Sequence, residues 1–381
     1  MCSQLTEQEE TWSLRQFMFR CHGYMLRPRL RPGWMPSWRL AGEYANPFHF
    51  EDSKALPKYR SDVVRGAIDA KRISDGKLVH IKCIKSKSAE HQIAKMLLGD
   101  DATNTMPVID VFESEDNHKD AFIVTPFLRS ADSPPFESVD DILDCGEQLL
   151  ENLVALHAKG IAHRSITMRD LALDASPLYP QGFHPVQDDC LPDAVTPTSP
   201  LSRRRARVSY YIINFSTAMR MPEPYDRTKP AMLDVGSYAW HGRSATPPEL
   251  VAVNMGLRTQ YNPFLLDVWL LGCAFNRMFA QTYSNVSLLD PLIEQMCQSS
   301  PESRPDAAEA LGRWRDIRAQ VGHVHRRLGE REQFQWPGKS PVLDVRSIAL
   351  AAMKKHRLSG ASGSKGRGLY KHEEGRRALV V

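Results

Sequence analysis

Nothing in the 381-residue chain approaches the run of about 18 uninterrupted apolar residues that a membrane-crossing helix needs. The first residues, MCSQLTEQEETW, carry three glutamates and no apolar core, which excludes a secretory signal there. The seven cysteines are scattered, none forms a C-x-x-C pair, and no histidine stands near one at zinc-ligand spacing. A disulfide or metal framework is therefore not expected, and Cys145 and Cys273, in apolar surroundings, read as small core residues. A large excess of one charge is also missing. The formal net charge is +4, too small for a chain whose business is binding nucleic acid. Hydrophobic residues make up 42% of the chain, enough for a sizeable core. The expectation is a soluble intracellular protein, cytoplasmic or nuclear.

Residues 1–60 have no clear periodicity. Trp12, Trp34 and Trp38 alternate with arginines and prolines, which predicts an extended arm that packs its tryptophans on the main domain. Residues 61–128 then read as short strands with one helix inserted. Asp75-Gly76 between SDVVRGAIDAKRI and KLVHIKCIK is a hairpin signal. SAEHQIAKMLL (88–98) has helical spacing of Ile93, Met96 and Leu97, and MPVIDVFES and KDAFIVTPFL are further strands. After Phe136 the pattern turns helical. Ser138 caps a helix whose stripe is Ile142, Cys145, Leu149, Leu153 and Leu156, with Gly160 past its end. FLLDVWLLGCAFNRMFAQ (264–281) is apolar all round and predicts a buried helix, followed by shorter helices in LLDPLIEQMCQ and PDAAEALGRWRDIRAQV. Residues 174–209 and the basic C-terminal stretch are rich in Pro, Ser, Gly and Arg and read as a solvated loop and tail. The fold class is α+β.

Several short motifs then fall in order. VHIK (79–82), His163-Arg164-Ser165, Asp170, Asn214-Phe215-Ser216, Pro247-Pro248-Glu249, Asp267-Val268-Trp269 through Gly272, and Arg304-Pro305 follow one another across about 61–320. In this succession the chain resembles the eukaryotic protein kinases. DAKRISDGKLVHIKCIK, PVIDVF, PLYPQGFHPV and YYIINFSTA are similar, more narrowly, to a divergent kinase branch of mushroom-forming fungi. The resemblance implies a bilobal kinase-like fold: an N-lobe over 61–128, a C-lobe over 129–320, an insertion at 174–209, an N-terminal extension (1–60) and a C-terminal extension (321–381). It implies ATP and Mg²⁺ as cofactors where nucleotide binding survives, and none otherwise. Lys82 would hold nucleotide phosphates, with Glu90 as its partner. Ser165 falls on the H-R-D aspartate, Asp170 on the asparagine five residues later, Asn214 on the D-F-G aspartate, and Arg304 on the arginine that pairs with the A-P-E glutamate, here Glu249.

The departures fall on the chemistry. Phosphoryl transfer relies on positioned charge. A serine hydroxyl at 165 is no efficient base near neutral pH, and losing a positioned base forfeits ~10²–10⁴ in rate, roughly 3–5 kcal/mol. Asn214 keeps an oxygen but no charge, whereas magnesium prefers carboxylates. Asp170 and Asn214 are either a swapped metal pair or two sites that drifted once selection on catalysis relaxed; drift is the expectation. Thr167 replaces the usual catalytic-loop lysine, Gly66 is the one glycine ahead of the turn where the family has a glycine-rich loop, and Pro126 removes a donor from the presumed hinge at 124–130. The expectation is a pseudokinase that works as a binding or scaffolding module for a protein partner, with neither a membrane nor a specific nucleic acid as target. The alternatives are an active divergent Ser/Thr-type kinase using Asp170 or Asp174 as base, a small-molecule kinase, and a nucleic-acid-associated protein acting through RRRAR (203–207) and the tail.

Overall fold

The computed structural model describes residues 4–321 apart from 43, 57–65, 101–103, 116–117, 223–224, 227–230, 233–246 and 255–259. The chain divides into two compact units, one of residues 1–240 and 260–334, the other of residues 241–259 and 335–381.

In the first unit, Thr6 opens the helix Glu7–Leu14 (α1). Its hydroxyl accepts from the Glu9 backbone N–H while the Glu9 carboxylate accepts from the Thr6 N–H. Helix Gln16–Cys21 (α2), strand Tyr24–Leu26 (β1) and the single turn Ser37–Leu40 (α3) follow. The described residues of this segment thus form helices and a strand and not an extended arm, with Trp12 packed in the core as expected. β1 pairs antiparallel with Ala67–Arg72 (β2) in the register Tyr24↔Arg72 and Leu26↔Ala70, adding a strand to the sheet. What periodicity hides is an ion pair. Glu9 is fully buried and receives both Arg29 Nε and Nη2, at 2.8 and 2.9 Å, so two charged residues occupy interior positions that a hydrophobic pattern assigns to solvent.

The sheet is completed by Leu78–Lys85 (β3), Asp110–Glu113 (β4) and Asp120–Pro126 (β5), in the order β1-β2-β3-β5-β4, with every pairing antiparallel. The predicted Asp75-Gly76 turn joins β2 to β3; Gly76 takes φ +70°, which a residue without Cβ adopts at little cost. Side chains alternate across the strands. Ile68, Ala70, Val79, Ile81, Phe122 and Val124 face the N-terminal segment and pack with Trp12, Phe19 and Leu30. Ile84, Ala121 and Ile123 face the other way, against Ile93, Ala94 and Leu97 of helix Ala89–Leu97 (α4). Both faces of the sheet are covered, and Lys82, in register with Ile123, projects on the α4 side.

The later part of the chain is mainly helical. Short strand Arg129–Ser130 (β6) precedes Val139–Ala158 (α5), capped by Ser138 as predicted, and Ile161–Ala162 (β7) follows. Leu171–Leu173 (β8) pairs with both β6 and Tyr210–Ile212 (β9). Between β8 and β9 lies the insertion, with one helical turn at Arg203–Ala206 (α6). It is not a solvated loop: Leu178, Tyr179, Phe183, His184 and Val208 are buried. Arg203 stacks 4.5 Å over Phe136 and donates to the Tyr210 hydroxyl at 2.6 Å and to the Pro134 carbonyl. Composition misleads here because Pro, Ser and Arg serve equally in flexible chain and in a series of packed turns.

Met219–Arg220 (β10) pairs with β7. Helix Pro248–Asn254 (α7), with Glu249 in its first turn, is described in the second unit. Back in the first unit, Pro263–Phe275 (α8) is buried on nearly every side and passes into one π-helical turn, Asn276–Ala280. Asp290–Met296 (α9) and Ala307–Val321 (α10) complete it. Trp314 of α10 is fully buried against α5, its Nε1 donating to the Leu143 carbonyl at 2.9 Å. The architecture is α+β: a five-stranded antiparallel sheet with helices. Among the described residues no helix is long and apolar enough to cross a membrane. The proposed C-terminal extension from 322 onward lies outside the described residues.

Candidate functional site

Four of the residues singled out from sequence meet in one hydrogen-bonded chain. Strand alternation turns Lys82 towards α4, where Glu90 occupies the first helical turn, and Lys82 Nζ reaches Glu90 Oε1 at 2.6 Å. The same ammonium donates to Asn214 Oδ1 at 2.9 Å, and Asn214 Nδ2 donates to Asp170 Oδ1 at 3.0 Å. Asp170 and Asn214 are 44 residues apart in sequence. The β8–β9 register closes that distance: Leu171 pairs with Ile212, Ile213 N–H donates to the Asp170 carbonyl at 2.8 Å, and Asn214 emerges beside Asp170. Asn214 makes the turn out of β9 with φ +71°, a left-handed conformation that asparagine tolerates better than most residues.

A fifth member, Thr167, was noted from sequence for the lysine it replaces and not for a bond to Asp170. Thr167 donates its hydroxyl to Asp170 Oδ2 at 2.6 Å and its backbone N–H to the same oxygen at 3.0 Å. The signal was present, since Thr167-Met168-Arg169-Asp170 has the spacing of a capping box. Both Asp170 oxygens are therefore engaged, and the residue is almost fully buried. Ser165 is not brought into this chain. Its backbone N–H donates to His163 Nδ1 at 3.4 Å. Asp174, the other candidate base, turns away and accepts from the Ser176 N–H and hydroxyl at 2.9 and 2.6 Å.

The loop that carries these residues hangs on Asp267. This fully buried α8 carboxylate accepts the His163 N–H at 2.7 Å, the Arg164 N–H at 2.6 Å, and meets His157 Nε2 at 3.2 Å. Arg164 takes φ +69° as the loop turns. His163 Nε2 faces the Ile213 carbonyl at 3.0 Å, so this nitrogen carries the proton, and the ring packs 5.4 Å from Phe215. Phe215 sits in the cluster that includes Ile93, Leu97 and Leu156. Arg304 donates to the Gln298 and Leu265 carbonyls at 2.8 and 3.0 Å, tying the approach to α10 onto the first turn of α8.

Magnesium would meet donors that already accept hydrogen bonds. The cation takes octahedral oxygen ligands and prefers carboxylates. Of the two carboxylates here, Asp170 accepts hydrogen bonds on both oxygens and Glu90 accepts from the Lys82 ammonium, which also takes the Asn214 amide oxygen. Among the described residues no group of three or more His, Cys, Asp and Glu is arranged to hold a metal. Two backbone positions in the stretch 124–130 offer no free donor. Pro126 has none, and the Phe127 N–H is spent on the Leu78 carbonyl at 3.2 Å. Gly66, at φ +70°, precedes β2, and residues 57–65 lie outside the described part. Two surface cavities, about 470 and 920 Å³, lie away from the Lys82 cluster; one is lined by α1 and Trp34, the other by α5, α6 and α10.

The insertion meets both the segment after β5 and the N-terminal segment. Arg129 stands 4.9 and 5.1 Å over the rings of Tyr179 and Phe183 and donates to the Asp188 carbonyl at 2.8 Å; Phe183 in turn packs 5.8 Å from Phe127. His184 Nδ1 accepts the Val186 and Gln187 N–H groups, leaving Nε2 to donate to Glu51 Oε1 at 3.1 Å. No protein-family model matches the chain, and no curated protein matches it.

Proposed function

We propose that the chain is a pseudokinase: a bilobal, protein-kinase-like scaffold with impaired phosphoryl transfer that works as a binding module for a protein partner. One observation carries this reading. In the series Glu90–Lys82–Asn214–Asp170–Thr167 the link between the lysine and the aspartate is a neutral amide. In a kinase the positions of Asn214 and Asp170 serve the metal, and the position of Ser165 supplies the base. Here the amide of Asn214 bridges the Lys82 ammonium and the Asp170 carboxylate as a neutral dipole. It offers an oxygen to the ammonium and N–H to the anion. The order of the motifs supports the kinase-like part of the proposal, and the chemistry of the substituted positions supports the impaired part.

The test is a thermal-shift titration of the whole chain with ATP, with and without Mg²⁺, beside Lys82→Ala. A ligand that binds the native state alone raises the Tm once its concentration exceeds its Kd. The expected outcome is no magnesium-dependent shift. A magnesium-dependent shift that Lys82→Ala abolishes would replace this reading with that of an active divergent kinase.

A further inference from the structure

Two thiols far from this site lie side by side. Cys273 is in the last turn of α8 and Cys297 caps the C-terminus of α9. Their Sγ atoms are 3.7 Å apart, and both residues keep partial solvent exposure. Gly272 makes the approach possible. A Cβ on it would stand 2.7 Å from Met296 Cβ and 3.0 Å from Cys297 Sγ, closer than packed side chains come. Arg304 holds the other side by tying Gln298, the residue after Cys297, to Leu265 in α8.

We propose that Cys273 and Cys297 are an oxidation site, a dithiol that a hydroperoxide converts into an intramolecular disulfide. The S–S bond is about 2.0 Å, so the sulfurs must close by roughly 1.7 Å, within reach of a side-chain rotation and a small backbone adjustment. In the first step one thiolate attacks a peroxide oxygen; the O–O bond breaks, the alkoxide (hydroxide, for hydrogen peroxide) leaves with a proton, and a sulfenic acid forms. The second thiolate then attacks the sulfenic sulfur, the S–O bond breaks, and water leaves. Two thiols give up two electrons, and the hydroperoxide ends as one alcohol, or water, and one water. Proximity favours this pair over the rest. Burial pushes the Cys145 thiol far up, and the Cys83 thiol up as well, so neither offers much thiolate.

The test uses the full chain treated with hydrogen peroxide, unfolded in an alkylating reagent and digested with trypsin without reductant. Arg277 lies between the two cysteines, so cleavage there separates them onto two peptides. The expected product joins those peptides at a mass about 2 Da below their sum and reverts on reduction. A rise in Tm on oxidation, absent in Cys273→Ser, is the companion result. Recovery of both cysteines as alkylated thiols, as separate sulfinic acids, or cross-linked to other cysteines would overturn the proposal. Should Cys273→Ser not fold, the peptide map of the unaltered chain decides by itself.

Discussion

At residue 214 the exchange of a carboxylate for an amide reverses the sign of the local interaction. With asparagine, Nδ2 donates to Asp170 Oδ1 at 3.0 Å. With aspartate, a second anion would face Asp170 at that distance, and Lys82, already shared with Glu90, would offset only part of the repulsion. Asn214→Asp is therefore expected to lower the Tm in chelator, by about 1–3 kcal/mol of stability, and to recover it with millimolar Mg²⁺. The unaltered chain should not respond to Mg²⁺. Thermal melts of both proteins in EDTA and in Mg²⁺ check this, and equal behaviour of the two would count against the bridging role of the amide.

Among the elements, the contact of α5 with α10 is set by one glycine. A Cβ on Gly146 would lie 2.1 Å from the Trp314 ring, which is enclosed on all sides and also touches Phe275 at 5.2 Å. The ring has nowhere to go. Gly146→Ala is expected to destabilise the chain despite the better helix propensity of alanine, by about 1–3 kcal/mol or more. Chemical denaturation monitored by tryptophan fluorescence measures it; an unchanged midpoint would contradict the packing. The same element-scale logic explains the sequence residues that kept their expected places. Ser138 caps α5 as expected, and Ser88, read from sequence as the start of a helix, caps α4, because a short hydroxyl satisfies a first-turn N–H wherever the helix lies in the fold.

Across the whole molecule, buried carboxylates join distant segments and set its response to acid. Burial opposes ionisation of Glu9, but the hydrogen bonds from Arg29 and from the Thr6 and Leu56 N–H groups outweigh it and hold the carboxyl below its ordinary value. Glu51 behaves alike: burial is outweighed by His184 and Arg27. A carboxyl whose pKa is lower folded than unfolded contributes stability above its ordinary value, near 4.3, and that contribution is lost as pH falls through the lowered value. The Tm should thus fall steeply below about pH 4.3. Glu9→Gln, which leaves Arg29 buried without its anion, should cost roughly 3–5 kcal/mol at neutral pH and flatten the acid slope. Melts from pH 7 to 3 on both proteins test the two statements together.

The helices beginning at Ser88 and Ser138, the Asp75-Gly76 hairpin, the apolar helix around Asp267 and the order of the motifs were legible in the chain, because caps, turns and periodicity are local properties. So were Lys82, Glu90, Asp170 and Asn214 as candidates, and the Thr167 spacing that locks Asp170. Other features depend on non-local pairing. The β8–β9 register, not any spacing, brings Asp170 to Asn214. Buried Glu9 and Arg29 build an N-terminal segment whose charges argue for solvent when read alone. Arg129 and Arg203 settle on aromatic rings and fasten an insertion whose composition suggests a loose loop. The approach of Cys297 to Cys273 across Gly272 likewise exists once two helices pack. A local pattern records what a segment can become; the partner that neutralises a charge or meets a thiol is chosen when distant segments come together and water is excluded between them.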